Sequence, residues 1–309
     1  MAFREIYRSQ AALLVRTLPH IARESCFALK GGTAINLFVR DMPRLSVDID
    51  LTYLPVGDRK TSLAAIDAAM QRIALHLRQA MPTARVTPSY AEPEHALVKF
   101  LLRVEGVQIK VEVTPVLRGC VFAPELRSVS ASVEDAFGFA ETQIVSFADL
   151  YAGKIVAALD RQHPRDLYDI HLLLHDEGIS EHLRLAFLVY LASHNRPMAE
   201  ILAPHRKNIS DDYRRNFQGM TDEPVSLELL EATREALIAR IVGDMPLTHR
   251  RFCLPSKRAT RTGRNSDWQT QQRFLPCCGV CKIWNACRRT LVCNWFVNYV
   301  PCWDLLIDP

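Results

Sequence analysis

The chain has 309 residues, 49% of them hydrophobic and 23% charged, enough to bury a sizeable core and to divide into two domains. A formal net charge of +4 is compatible with an anionic partner but lies far from the balance of a dedicated nucleic-acid binder, and no DNA partner is expected. The N-terminus lacks a long apolar signal region and no stretch reaches the roughly 18 apolar residues that span a bilayer, so a cytoplasmic protein without membrane contact is expected.

Apolar positions at helical spacing (Ile6, Leu13, Leu14, Leu18, Ile21) predict helix within residues 1–24. Residues 26–30 then read as a short strand that stops at Gly31-Gly32, with Thr33 suited to N-cap the apolar segment 34–39. After Pro43 the run Ser46-Val-Asp-Ile-Asp-Leu51 alternates strictly, so Ser46, Asp48 and Asp50 share one strand face and Val47, Ile49 and Leu51 the other. A helix over 60–79 and strands near 84–90, 95–104 and 107–116 follow. In the last strand Ile109, Val111 and Val113 face one way and leave Lys110 and Glu112 on the other.

From about 145 the pattern is helical. Ser146 with Asp149 three residues later reads as a capping box opening a helix to about 159, and further helices are predicted over 165–175, 180–194, 210–219 and 226–243. The fold class is therefore α+β: an α/β domain over 1–140, a helical domain over 141–252, and an atypical tail over 253–309.

The chemistry lies in the first of these. Two carboxylates one residue apart on a strand can hold divalent cations through oxygen, and Glu112 on a neighbouring strand is the candidate third ligand. A triphosphate needs close backbone approach and N–H donors, which Gly31, Gly32 and Thr33 supply. Glycine turns and Asp-x-Asp pairs are each common, but Asp is disfavoured in strands, and here the turn and the following helix sit where a phosphate site needs them.

Lys30-Gly-Gly-Thr-Ala34 and Arg44-Leu-Ser-Val-Asp-Ile-Asp-Leu51 resemble the AbiEii-type nucleotidyltransferase toxins. The resemblance implies a polymerase-β-like nucleotidyltransferase domain with a small mixed sheet, followed by helices. It implies Asp48 and Asp50, with Glu112, as ligands of Mg²⁺ or Mn²⁺, and Lys30, Gly31, Gly32, Thr33 and Ser46 around the NTP. Two further motifs match in the helical half, a lysine at Lys154 and Arg165-Asp166-Leu-Tyr-Asp169. Lys154 falls in the apolar stripe of its helix and Asp166 shares a face with Ile170 and Leu173. Such inward charges read either as an ion pair docking two helices or as catalytic groups, Lys154 on the phosphates and Asp166 orienting it or activating the acceptor. Arg40 and Arg44 read as solvated loop residues or as contacts to phosphate or RNA.

The implied reaction moves a nucleoside monophosphate from an NTP to an acceptor, the tRNA 3′ end, under the control of an AbiEi-type antitoxin. The alternatives are a small-molecule or protein hydroxyl as acceptor, or a silent nucleotide-binding scaffold. The motif resemblance runs over residues 26–252. Seven of the nine cysteines and all four tryptophans follow, between Cys253 and Trp303, a composition that reads as a frameshifted tail or, through Cys278-x-x-Cys281, as a zinc knuckle.

Overall fold

The apolar stripe near the N-terminus forms α1, Glu5–Ile21, which buries Leu13, Leu14, Leu18 and Ile21. The computed structural model describes residues 5–253, so the tail from 254 onward, with its frameshift and zinc readings, lies outside the described residues. Strand β1 is Phe27–Lys30, followed by α2, Gly31–Ala34, which runs on as a π-helical turn over Ile35–Val39. Strand β2 is Asp48–Tyr53, and α3 is Arg59–Ala80, capped by Asp58, whose carboxylate accepts from the Thr61 N–H at 2.9 Å. A meander follows: β3 Arg85–Ala91, β4 Ala96–Val104 and β5 Val107–Thr114. Then come β6 Glu125–Ser128, α4 Ala131–Phe137 and β7 Glu141–Ile144.

These strands form one mixed sheet in the order β3-β4-β5-β2-β1-β7-β6, with β2–β5 and β1–β7 parallel and the other pairs antiparallel. Helices α1 and α3 pack on one face, over Phe100, Leu102, Ile109 and Val111. That leaves the alternate residues of β2 and β5, Asp48, Asp50, Lys110 and Glu112, on the other.

Strands β6 and β7 and helix α4 lie outside the predicted elements, and β7 carries the sheet to Ile144. These elements are short and polar, and β6 is exposed throughout, so they carry no apolar period.

Among the described residues the regular elements after β7 are all helical: α5 Phe147–Asp160, α6 Pro164–Asp176, α7 Glu181–Ala192, α8 Met198–Leu202, α9 Ser210–Asn216, α10 Leu227–Ile238, which runs on as a π-helical turn over Ala239–Gly243, and α11 Leu247–Cys253. Ser146 caps α5 as expected, accepting from the Asp149 N–H. The Asp149 carboxylate, however, accepts from the Val121 and Phe122 N–H groups at 2.7 and 3.0 Å, so it ties the β5–β6 connection to α5. Helix α5 lies against α6, α7 and α10, which buries Lys154, while Asp166 and Asp169 are buried on α6. The helical part also grips the loop before β2: the Leu45 N–H donates to the Met220 carbonyl at 2.8 Å. No helix among the described residues is long and apolar enough to cross a membrane.

Candidate active site

Strand pairing assembles the carboxylates. Parallel pairing sets Asp48 beside Lys110 and Asp50 beside Glu112; the flanking pairs set Lys30 beside Asp50 and Lys99 beside Glu112. One row across four strands thus reads Lys30, Asp50, Glu112, Lys99. Like charges directly opposite each other, as Asp50 and Glu112 are, weaken a sheet unless a cation lies between or beside them. Burial pushes the Asp50 carboxyl above its ordinary range, Lys110 and Lys30 oppose that shift, and Asp48 and Glu112 add to it. Lys110 Nζ donates to Glu112 at 2.9 Å, and Lys30 Nζ to Thr114 Oγ1 at 2.7 Å.

The glycine turn lies against this row. Gly31 has φ +73°, and a Cβ there would stand 2.8 Å from Asp50 Oδ2; at Gly32 it would stand 2.7 Å from Arg44 Nη2 and 3.2 Å from Ser46 Oγ. Backbone therefore meets carboxylate where any side chain would intrude. The expectation that Thr33 caps the next helix is corrected: the helix starts three residues earlier, at Gly31, with Lys30 in the cap position. The buried Thr33 hydroxyl instead donates to the Asp48 carbonyl and lies 2.9 Å from Ser46 Oγ, holding the turn on β2. Gly31→Ala is expected to cost about 1–2 kcal/mol for its left-handed backbone and, by displacing Asp50, on the order of 10²-fold in turnover. Thermal unfolding and initial rates check this; a variant with parental values for both would show that the turn tolerates a side chain.

Behind the turn lies a buried ion cluster. Arg44, 2% exposed, grips Asp169, 0% exposed, through Nε–Oδ1 at 2.7 Å and Nη2–Oδ2 at 2.6 Å. Lys154 Nζ stands 2.9 Å from both Asp166 Oδ1 and Asp169 Oδ2, and Arg161 grips Asp166 with two bonds. Asn36 Nδ2 donates to Asp169 at 3.1 Å and to the Gly32 carbonyl at 2.9 Å, linking the cluster to the glycine turn. Burial alone would raise both acids, but Lys154 and Arg161 outweigh it at Asp166, and Arg44 and Lys154 at Asp169, so both carboxyls lie below the usual range.

The loop arginines are neither solvated nor free. Arg44 belongs to the cluster, and Arg40 donates to Tyr151, Asp176 and Glu177, because the helical half closes over the loop. Asp169, Asn36 and Arg161 are members that no sequence role had been assigned. Asp169 had a signal, since it follows Asp166 by one helical step within the same motif and so shares its face. His163 stands at the start of α6 outside this bonded cluster: its Nδ1 accepts from the Arg165 N–H at 3.1 Å and caps the helix, and burial with the neighbouring Arg165 lowers its pKa to about 4, which keeps the ring neutral.

Of the expected site residues, Asp48, Asp50, Glu112 and Lys30 lie together on the face of the sheet opposite α1 and α3. Gly31, Gly32, Thr33 and Ser46 form the adjoining turn, and Lys154 with Asp166 stands behind it. As they stand, no three His, Cys, Asp or Glu side chains among the described residues gather closely enough to hold a metal ion, Glu112 being turned to Lys110. The donors nonetheless suit a hard divalent cation. Mg²⁺ is usually held by one or two carboxylates and completed by water and substrate phosphates, and the like-charged Asp48, Asp50 and Glu112 provide that anionic edge.

A family profile described as nucleotidyl transferase AbiEii toxin, type IV TA system, matches residues 12–270. The match starts before residue 26 and ends at 270 rather than 252, so the family pattern runs past the compositional break at Cys253. Among solved structures, the fold is similar to that of MenT4, a nucleotidyltransferase toxin from Mycobacterium tuberculosis H37Rv. The TM-score is 0.60 at 18% sequence identity, covering 84% of this chain and 92% of that one. A comparison with curated proteins finds no match.

Proposed function

Because this chain belongs to the AbiEii family of nucleotidyltransferase toxins of type IV toxin–antitoxin systems, we propose that it transfers a nucleoside monophosphate from an NTP to the 3′ hydroxyl of tRNA. Pyrophosphate leaves, and an AbiEi-type antitoxin restrains the reaction in the cytoplasm. The observation that carries the site assignment is the register that sets Asp48 and Asp50 on one face, Glu112 beside Asp50, and the Gly31 backbone against the Asp50 carboxylate.

Asp48, Asp50 and Glu112 would hold Mg²⁺ or Mn²⁺, which when bound neutralises phosphate charge and makes an attacking hydroxyl more acidic. The main chain at Gly31 and Gly32 offers N–H groups to the triphosphate with no side chain in the way. Thr33 and Ser46 keep that turn seated on β2, so its distance from Asp48 is constant. Lys30 balances the negative charge of Asp50 from the adjoining strand. An ammonium has three hydrogens; Lys154 engages Asp166 and Asp169 with two and has a third for a phosphate oxygen, where it stabilises the charge that develops on transfer. Asp166 is a positioning residue: full burial between Lys154 and Arg161, with a lowered pKa, supports orientation of Lys154 rather than proton transfer.

The test is to incubate the purified chain with Mg²⁺, total tRNA and each α-labelled NTP in turn. Label on the tRNA 3′ end from one NTP, absent with Asp48→Asn, is the expected result. Label carried only by protein or a small molecule would replace the acceptor, and nucleotide binding without any transfer would identify a silent scaffold.

A further inference from the structure

The face of the sheet that bears the carboxylates continues beyond them across β5, β4 and β3, and it is basic. Three rows of partners cross these strands: Ser89, Lys99 and Glu112; Thr87, Leu101 and Lys110; Arg85, Arg103 and Gln108. The first two rows include Glu112 and Lys110, at the edge of the site. The third lies farther along the strands, Arg103 being four residues or about 13 Å from Lys99.

Helices α1 and α3 cover the opposite face, whereas Arg85, Thr87, Ser89, Arg103 and Gln108 are exposed. Among the described residues Arg85, Lys99 and Arg103 make no ion pair; the other cation, Lys110, is held by Glu112. The acids nearest in the chain, Glu92, Glu94 and Glu105, sit in the turns that close the two hairpins, and Glu94 is already engaged by Arg59. Arg85 and Arg103 are direct cross-strand partners. Two like charges so placed weaken the pairing, and nothing within the described chain compensates them. An external anion would. Because the face runs without interruption into Asp48 and Asp50, the anion it suits is a chain whose end must arrive there.

We propose that this face is the track on which the single-stranded 3′ end of the acceptor RNA lies, its phosphates on Lys99, Arg103 and Arg85, so that the terminal hydroxyl reaches the carboxylates. The inference rests on the reading of RNA as acceptor. Phosphate contacts of this kind set register and affinity without reading bases, so the face positions RNA and leaves selection to other contacts. Cations here also offset the repulsion that an approaching polyanion meets from Asp48, Asp50 and Glu112.

The experiment is tRNA binding by the full chain, read by fluorescence anisotropy over a range of salt, for the parent, the double variant Arg85→Gln/Arg103→Gln, and the charge-conserving Arg85→Lys/Arg103→Lys. The glutamine pair is expected to bind roughly tenfold more weakly near physiological salt and to lower the slope of log affinity against log salt by about 1.4, the value for two single-strand phosphate contacts. The lysine pair should restore most of both. An affinity and slope indifferent to the glutamine pair would overturn the proposal, as would equal losses in both pairs, which would mark a structural effect. Labelled transfer is read separately. A chain that labels no tRNA but loses affinity in the glutamine pair retracts the acceptor reading and keeps the surface; full labelling with unchanged affinity does the reverse.

Discussion

Arg44→Met is expected to destabilise the chain by about 3–5 kcal/mol, the cost of stripping one partner from a buried ion pair. For a protein of this size that lowers the melting temperature by roughly 6–20 °C. The reason is geometric. Asp169 is fully buried and takes both of its Arg44 bonds from one guanidinium, and the methionine stem fills the space without replacing either donor. Lys154 and Asn36 remain, but Lys154 is shared with Asp166, so Asp169 is left under-compensated. Combining Arg44→Met with Asp169→Leu should recover a large part of the loss, because the orphaned charge is then gone. Since Asp166 and Asp169 both have lowered folded pKa values, their contribution is present above about pH 4 and lost as the pH falls through those values. Parent and variant should therefore converge in strong acid. Thermal unfolding followed by circular dichroism measures all of this, and a loss below about 1 kcal/mol at neutral pH would show that Arg44 is not what holds Asp169.

Asp48→Asn and Lys154→Met are each expected to lower transfer about 10³-fold or more, and they should differ in stability. Asp48 is partly exposed and stands between the acid Asp50 and its register partner Lys110, so its neutral isostere is expected to change stability by less than about 1 kcal/mol. Lys154 lies between two buried acids on α6, so its loss also lowers stability by about 3–5 kcal/mol. Rates corrected for folded fraction separate the two roles that an inward lysine can have. A corrected rate for Lys154→Met within tenfold of the parent would make Lys154 a clasp between α5 and α6 and nothing more.

The alternation in residues 46–51 was enough to place Asp48 and Asp50 on one face, because a strand's side-chain period of two belongs to the backbone and needs no partner. The same holds for the inward Lys154 and Asp166, which the helical period assigns to buried faces before any neighbour is known. The serine cap of α5 was legible for the same local reason. Thr33 was not: a hydroxyl at a helix start has several possible acceptors, and the one it takes, the Asp48 carbonyl, belongs to the neighbouring strand, 15 residues on.

The sequence by itself determined the fold class, the carboxylate pair and the burial of the lysine and aspartate, all consequences of short periods and turn chemistry. Only the tertiary structure decided that Glu112 stands beside Asp50, that Lys99, Arg103 and Arg85 extend that face, and that Arg44 is buried on an acid 125 residues away. Strand register and the choice of ionic partner depend on which distant segments meet, and no local period carries that information.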